Sequence, residues 1–221
     1  MMVRALVFDF DGLILDTETP RYRAWQEVFA DHALELPIEA WHECIGRAHD
    51  FVNFYDRLEE QLGRSVDREA IRAKRRPRLE ALVAAEQVCG GVEQYVADAG
   101  RMGLKLAVAS GSDRAWVTGH LKRLGLLEPF QCIKCVEDTA QHKPDPAPFL
   151  AVLTELGVEP SESIALEDSP NGIASAKAAG MYCLAVPNPL TRGLDLSAAD
   201  WITDSLAELS LGDLLRRIDS A

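Results

Sequence analysis

No apolar run in this chain approaches the roughly 18 residues that a membrane-spanning helix needs. The Met-Met-Val-Arg start leads straight into a strand-like segment, so no signal peptide is expected. Both points predict a cytoplasmic protein with no membrane partner. Positive charge is scarce: 23 Lys and Arg stand against 35 Asp and Glu, a formal net charge of −12. Nucleic acids and anionic lipid surfaces need a basic face, so no nucleic acid partner is expected either. The five cysteines, at 44, 89, 132, 135 and 183, are scattered and odd in number. They form no disulfide framework and fit a reducing compartment. Cys132-Ile-Lys-Cys135 lacks the second ligand pair of a structural zinc site, which leaves two thiols on opposite faces of a strand. Repeats and low-complexity tracts are absent. What remains is an ordinary globular composition, 48% apolar and 26% charged over 221 residues. It suits one large domain or a core with a smaller insertion, expected as a monomer.

Short apolar, β-branched runs mark strands at 3–8, 104–109, 132–136, 163–167, 182–186 and, more weakly, 200–203. Helical patterns lie between the later ones. Residues 113–125 place Trp116, Val117, His120, Leu121 and Leu124 on one face and close at Gly125. Residues 145–157 begin with Asp145 as N-cap and Pro146 in the first turn, and stop at Gly157. An Ala-rich helix at 171–180 can pack closely on a sheet. Alternating strand and helix with short loops predicts an α/β fold, a Rossmann-like core with a parallel sheet flanked by helices. Residues 18–86 break the rhythm. They contain no convincing strand and four helical patterns, the last of which Pro77 is expected to kink or split. The expected division is a core of 1–17 and 87–221 and an inserted α-helical cap of 18–86, with hinges near 17–20 and 87–91. Its basic cluster at 72–78 reads as a solvated face, with the sharper possibility that a base such as Lys74 or Arg75 faces the cleft.

The acids of the first segment pose the chemical question. Asp9, Asp11, Asp16 and Glu18 fall within ten positions, and the next base is Arg21. Unpaired, such charges repel and resist burial. Asp9 and Asp11 share one side of the first strand's end, and Gly12 permits a tight turn. Ligands of open α/β sheets bind at the carboxyl ends of strands. Ser110-Gly111-Ser112 follows the second strand, Lys143 the third, and Glu167-Asp168 ends the fourth. In a parallel sheet these groups converge. Asp9 and Asp168, with Glu167 through water and the Asp11 carbonyl, suit a Mg²⁺ ion. Ser110 and the amides at a helix start suit a phosphate. A carboxylate there can act as nucleophile, and a second one two residues on as acid and base.

With "DFDGLILDTE" (9–18), "ASGS" (109–112), "HKPDP" (142–146) and "EDSPNGIASAKAAG" (167–180), nearly the whole chain resembles the haloacid dehalogenase superfamily. It is most similar to the branch with a helical cap that holds β-phosphoglucomutase and many small-molecule phosphatases. The resemblance implies Asp9 as nucleophile, Asp11 as general acid/base, and Ser110 and Lys143 on the phosphoryl group. It implies Mg²⁺ held by Asp9, Asp11 and Asp168 with Glu167 in support. It points to Gly12, Thr17, Glu18, Arg21, Arg47, His49, Gly111, Ser112 and Asn171 as the substrate-binding set. Arg21 stands where β-phosphoglucomutases carry His, and His49 where they carry Arg, which favours hydrolysis. The expected activity is a Mg²⁺-dependent phosphatase of a small phosphorylated metabolite, with a sugar phosphate as the expected class. A phosphosugar mutase and a non-catalytic phosphate-binding module are the alternatives.

Overall fold

The computed structural model describes residues 2–43, 45 and 53–220. Six strands form one sheet: β1 (Ala5–Phe8), β2 (Lys105–Ala109), β3 (Cys132–Lys134), β4 (Ser163–Glu167), β5 (Tyr182–Ala185) and β6 (Trp201–Ile202). Their order is β3-β2-β1-β4-β5-β6, and every pairing is parallel. The chain leaves β1 towards one edge and returns to build the other, so the crevice between β1 and β4 is the topological switch point, where such folds bind ligands.

Side-chain alternation sorts the strands onto two buried faces. Leu6, Phe8, Leu106, Val108, Ile164, Leu166 and Leu184 face one cluster. It is closed by α5 (Val92–Arg101), α6 (Arg114–Arg123) and α9 (Leu211–Asp219). The other face is built from small residues, Ala5, Ala107, Ala109, Ala165 and Ala185, so α7 (Ala147–Leu156) and α8 (Pro170–Ala178) approach closely. Cys132 lies in this second cluster and Cys135 in the first, on opposite faces as expected. Burial pushes Cys132 up to about 12 and Cys135 to about 11, so neither is a reactive thiolate.

The remaining helices are α1 (Glu18–Asp31), α2 (Ile38–His42), α3 (Phe54–Leu62) and α4 (Arg68–Ala85). They share a third cluster of Trp25, Val28, Phe29, Trp41, Phe54 and Leu58. Its centre is aromatic: Trp41 stacks on Phe54 at 5.2 Å, and Trp25 meets Phe54 at 5.3 Å. Leu190, from the loop after β5, is buried in the same cluster. The segments entering and leaving this helical layer run side by side: Leu15 bridges Val88, and the Cys89 N–H donates to the Ile14 carbonyl at 2.9 Å.

Three local expectations need correction. Pro77 does not split its helix, for α4 runs unbroken through it. Ion pairs on both sides of Pro77, Lys74 with Asp31 and Arg78 with Glu27, hold α4 on α1, and Val83 anchors its end in the core. Secondly, α7 starts one residue late. Pro146 is its N-cap, while the Asp145 carboxylate still accepts from the Ala147 N–H at 2.9 Å. Thirdly, α5 and α9 stood outside the sequence-based assignment. Leu211, Leu214 and Ile218 of α9 repeat at i, i+3 and i+7 in a stretch otherwise polar.

Among the basic residues of 72–78, Lys74 is exposed and paired with Asp31, and Arg72, Arg76 and Arg78 also meet carboxylates on the outer surface. Arg75 alone turns inward, its guanidinium 4.5 Å from the Trp25 ring centroid.

Candidate active site

The parallel register brings the strand ends to one edge. Asp9 follows β1, and its N–H still donates to the Leu166 carbonyl at 2.9 Å; the Ser110 N–H donates to the Lys134 carbonyl at 2.9 Å. Lys143 lies in the loop after β3, and Glu167 is the last residue of β4. Lys143 Nζ donates to Asp9 at 2.6 Å, to Glu167 at 2.5 Å and to the Ala109 carbonyl at 2.9 Å. Side-chain exposure is 9% for Lys143 and Asp9 and 0% for Glu167, so this ion cluster sits away from water.

Asp9, Glu167 and Asp168 each place a carboxylate oxygen within 4.8 Å of the others'. One ammonium therefore faces three acids. Burial raises Asp9 to about 8, against the Lys143 charge and with the Glu167 and Asp11 charges adding. Burial likewise raises Asp168 well above its ordinary value, with repulsion from Asp9 and Glu167. Lys143 is driven upward, because the two anions outweigh the burial that would lower it. Such an oxygen-rich, under-neutralised set fits a hard divalent cation. Glu167 is fixed from behind: its carboxylate accepts from the Asp168 N–H and the Ser169 hydroxyl, at 3.1 and 3.3 Å, and it fills the space where a Cβ on Gly172 would fall.

Asp11 looks elsewhere. Its carboxylate accepts from the Ser112 hydroxyl at 2.6 Å, the Thr17 hydroxyl at 2.7 Å and the Trp116 indole N–H at 3.0 Å. Arg21 lies 3.7 Å away and also pairs with Glu18 at 3.0 Å. Burial would raise Asp11, but the Arg21 charge and the three hydrogen bonds together hold it below the usual carboxylate range. The Asp11 side chain thus stands apart from the acid cluster, with its oxygens engaged. The expectation that it joins the metal ligands is left to its main-chain carbonyl.

The other sequence-predicted residues fall in distinct places. Gly12 has φ +87°, and a Cβ there would come within 2.3 Å of the Asp168 carboxylate, so the turn requires glycine. Thr17 is fully buried and acts on Asp11 rather than opening to a ligand. Ser110 Oγ accepts from the Ser112 N–H at 3.0 Å and lies 3.4 Å from Asp11. Ser112 is buried against Asp11, Gly111 is exposed, and Asn171 sits half-buried in the first turn of α8. Arg47 and His49 lie outside the described residues.

Two residues that touch this site escaped the sequence reading. Trp116 reads as the apolar face of α6, and only its indole N–H hints at more. Asn188 stands in Val186-Pro-Asn-Pro-Leu-Thr191, a turn signal at the carboxyl end of β5. Its amide donates to Asp168 at 2.7 Å.

A sheet of this topology, with an acid nucleophile candidate, a buried lysine and a cation-seeking cluster at its carboxyl edge, defines a phosphoryl-handling hydrolase. Residues 6–186 match the family described as haloacid dehalogenase-like hydrolase, and the chain belongs to that family. It is 43% identical over 219 residues to the protein named "Putative phosphatase YhcW" of Bacillus subtilis (strain 168), with 99% of each chain covered. It is 32% identical over 185 residues to the fructose-1-phosphate phosphatase YqaB of Escherichia coli (strain K12), covering 80% of this chain and 92% of that one. The crystal structure of CbbY from Rhodobacter sphaeroides, in complex with phosphate, superposes with a TM-score of 0.75. It is 30% identical, with 96% of this chain and 99% of that one covered. The chain is a phosphoric monoester hydrolase. Members of the family generally use a divalent metal. Among the described residues no helix is long and apolar enough to cross a membrane.

Proposed function

We propose that the protein is a Mg²⁺-dependent phosphatase that hydrolyses a small sugar phosphate through an aspartyl-phosphate on Asp9. The observation that carries this reading is the buried cluster of Asp9, Lys143, Glu167 and Asp168. Asp9, Glu167 and Asp168 are the side chains that would hold the cation. When bound, it neutralises the acids and the phosphate's charge.

In the first step an Asp9 oxygen attacks phosphorus, the ester P–O bond breaks, and the leaving sugar oxygen takes a proton from Asp11. In the second, water attacks phosphorus, the Asp9–phosphorus bond breaks, and Asp11 takes the water's proton. Asp11 is held ionised by Arg21 and its donors, the form the second step needs. An arriving phosphate dianion favours the protonated form that the first step needs. Ser110 and Lys143 bind the phosphate's oxygens. Residues 18–86 act as the lid, hinged where Leu15 and Val88 meet. The named activity of YqaB supports the sugar phosphate assignment.

The test is phosphate release from a panel of sugar phosphates, set against isomerisation of the same substrates with and without a bisphosphate activator. Release is expected from at least one, and Asp9→Asn should abolish it. Isomerisation without release would replace the hydrolase reading with the mutase one. Near-normal release by Asp9→Asn would remove the covalent intermediate.

A further inference from the structure

Asn188 lies at the carboxyl edge of the sheet, in the loop that follows β5, and is 7% exposed. Its orientation is over-determined. The side-chain Oδ1 accepts two backbone N–H groups, from Leu190 at 2.8 Å and Thr191 at 3.1 Å. Its own N–H donates to the Thr191 hydroxyl at 2.9 Å. With the oxygen committed to two donors, the amide nitrogen is the end that faces outward. That nitrogen donates to Asp168 Oδ2 at 2.7 Å.

Two further contacts hold the pair. Gly12 covers it from the nucleophile turn: a Cβ there would approach Asn188 Nδ2 to 2.6 Å and Asp168 Oδ2 to 2.3 Å. On the other side Leu190, two residues on, is buried in the aromatic cluster of the helical layer, and Thr191 is wholly buried. The loop thus has one end rooted in the helices and one amide aimed at an acid of the cation cluster.

We infer that Asn188 is a positioning residue for the divalent cation: its amide fixes one oxygen of Asp168, so the carboxylate meets the ion already oriented. The inference rests on the reading of Asp9, Glu167 and Asp168 as the cation's holders. Partners that orient a ligand in this way typically contribute 10- to 100-fold in metal affinity.

The test is a calorimetric Mg²⁺ titration of the whole chain, comparing wild type with Asn188→Ser. The Ser hydroxyl still accepts from the loop's N–H groups but is too short to reach Asp168. The Mg²⁺ dissociation constant should rise about 10- to 100-fold, and the Mg²⁺ activation curve should move by the same factor. A role confined to folding the loop would lower the melting temperature and leave both in place. If the Ser variant does not fold, Asn188→Thr, which also keeps a hydroxyl acceptor for the loop and lacks the donor to Asp168, gives the same comparison. A variant that folds and binds Mg²⁺ within twofold of wild type overturns the proposal. Asp168→Ala separates this from failure of the underlying reading: if it too binds Mg²⁺ like wild type, the cluster is not the metal site and both fall.

Discussion

Replacing Asp9 by Asn should make the metal-free protein more stable while it destroys turnover. In the absence of a cation, three buried carboxylates face a single ammonium. Asn keeps an oxygen for Lys143 and removes one of the mutually repelling charges. Burial and its acidic neighbours raise Asp9 from 3.8 to about 8, so the folded chain holds this proton more tightly than the unfolded one. The penalty is therefore absent near pH 4, grows as pH rises, and levels off above pH 8. At pH 7, a gap of roughly three pH units converts to about 4 kcal/mol at most, and coupling to Glu167 and Lys143 brings a working figure of roughly 2–4 kcal/mol. For a chain of this size that is about 5–15 °C in melting temperature. The assay is thermal unfolding in EDTA from pH 5 to 8, repeated in excess Mg²⁺. The variant's advantage should widen with pH in EDTA. It should shrink or reverse with Mg²⁺, which stabilises the wild type by mass action. A variant that melts at or below wild type throughout the EDTA series would refute the charge argument.

Chelation should stop phosphate release, and Mg²⁺ should restore it. Ca²⁺ should not, because its larger, looser shell does not hold nucleophile and phosphate in line; full activity in excess EDTA would contradict the cation assignment. Asp11→Asn should lower kcat about 10²- to 10⁴-fold, with unchanged kcat the contrary result. Trp116→Phe keeps the ring and deletes the indole donor to Asp11. It should slow sugar phosphates more than p-nitrophenyl phosphate, whose leaving group needs no proton, and equal slowing would assign Trp116 to packing alone. Lys74→Ala should leave kcat/KM within about twofold, since Lys74 is solvated. Arg75→Ala should destabilise by about 1–2 kcal/mol through loss of its cation–π contact with Trp25, and urea titration compares the two.

The succession of strands was legible from the chain alone because it rests on local rules, whereas α5 and α9 were not assigned. β1, β2, β4 and β5 are runs buried on both faces, as a parallel sheet covered on both sides demands, and Gly157 ends its helix in the left-handed region at φ 62°. The same rules bring Asp9, Ser110, Lys143 and Glu167-Asp168 to one edge, because parallel strands point their carboxyl ends the same way. Their failures were local too. The four outward bases and one inward base of 72–78 look alike in sequence, and only the packing of α4 on α1 separates Arg75 from Lys74. What the tertiary structure decided is direction. Asp9 and Asp11 share a side of their strand by pattern, yet Asp9 turns to Lys143, 134 residues away, and Asp11 to Trp116, 105 residues away. Asn188 reaches Asp168 because a turn in the next loop spends its oxygen on Leu190 and Thr191. A side chain's aim follows from partners that are distant in sequence, so no spacing rule within one segment contains it.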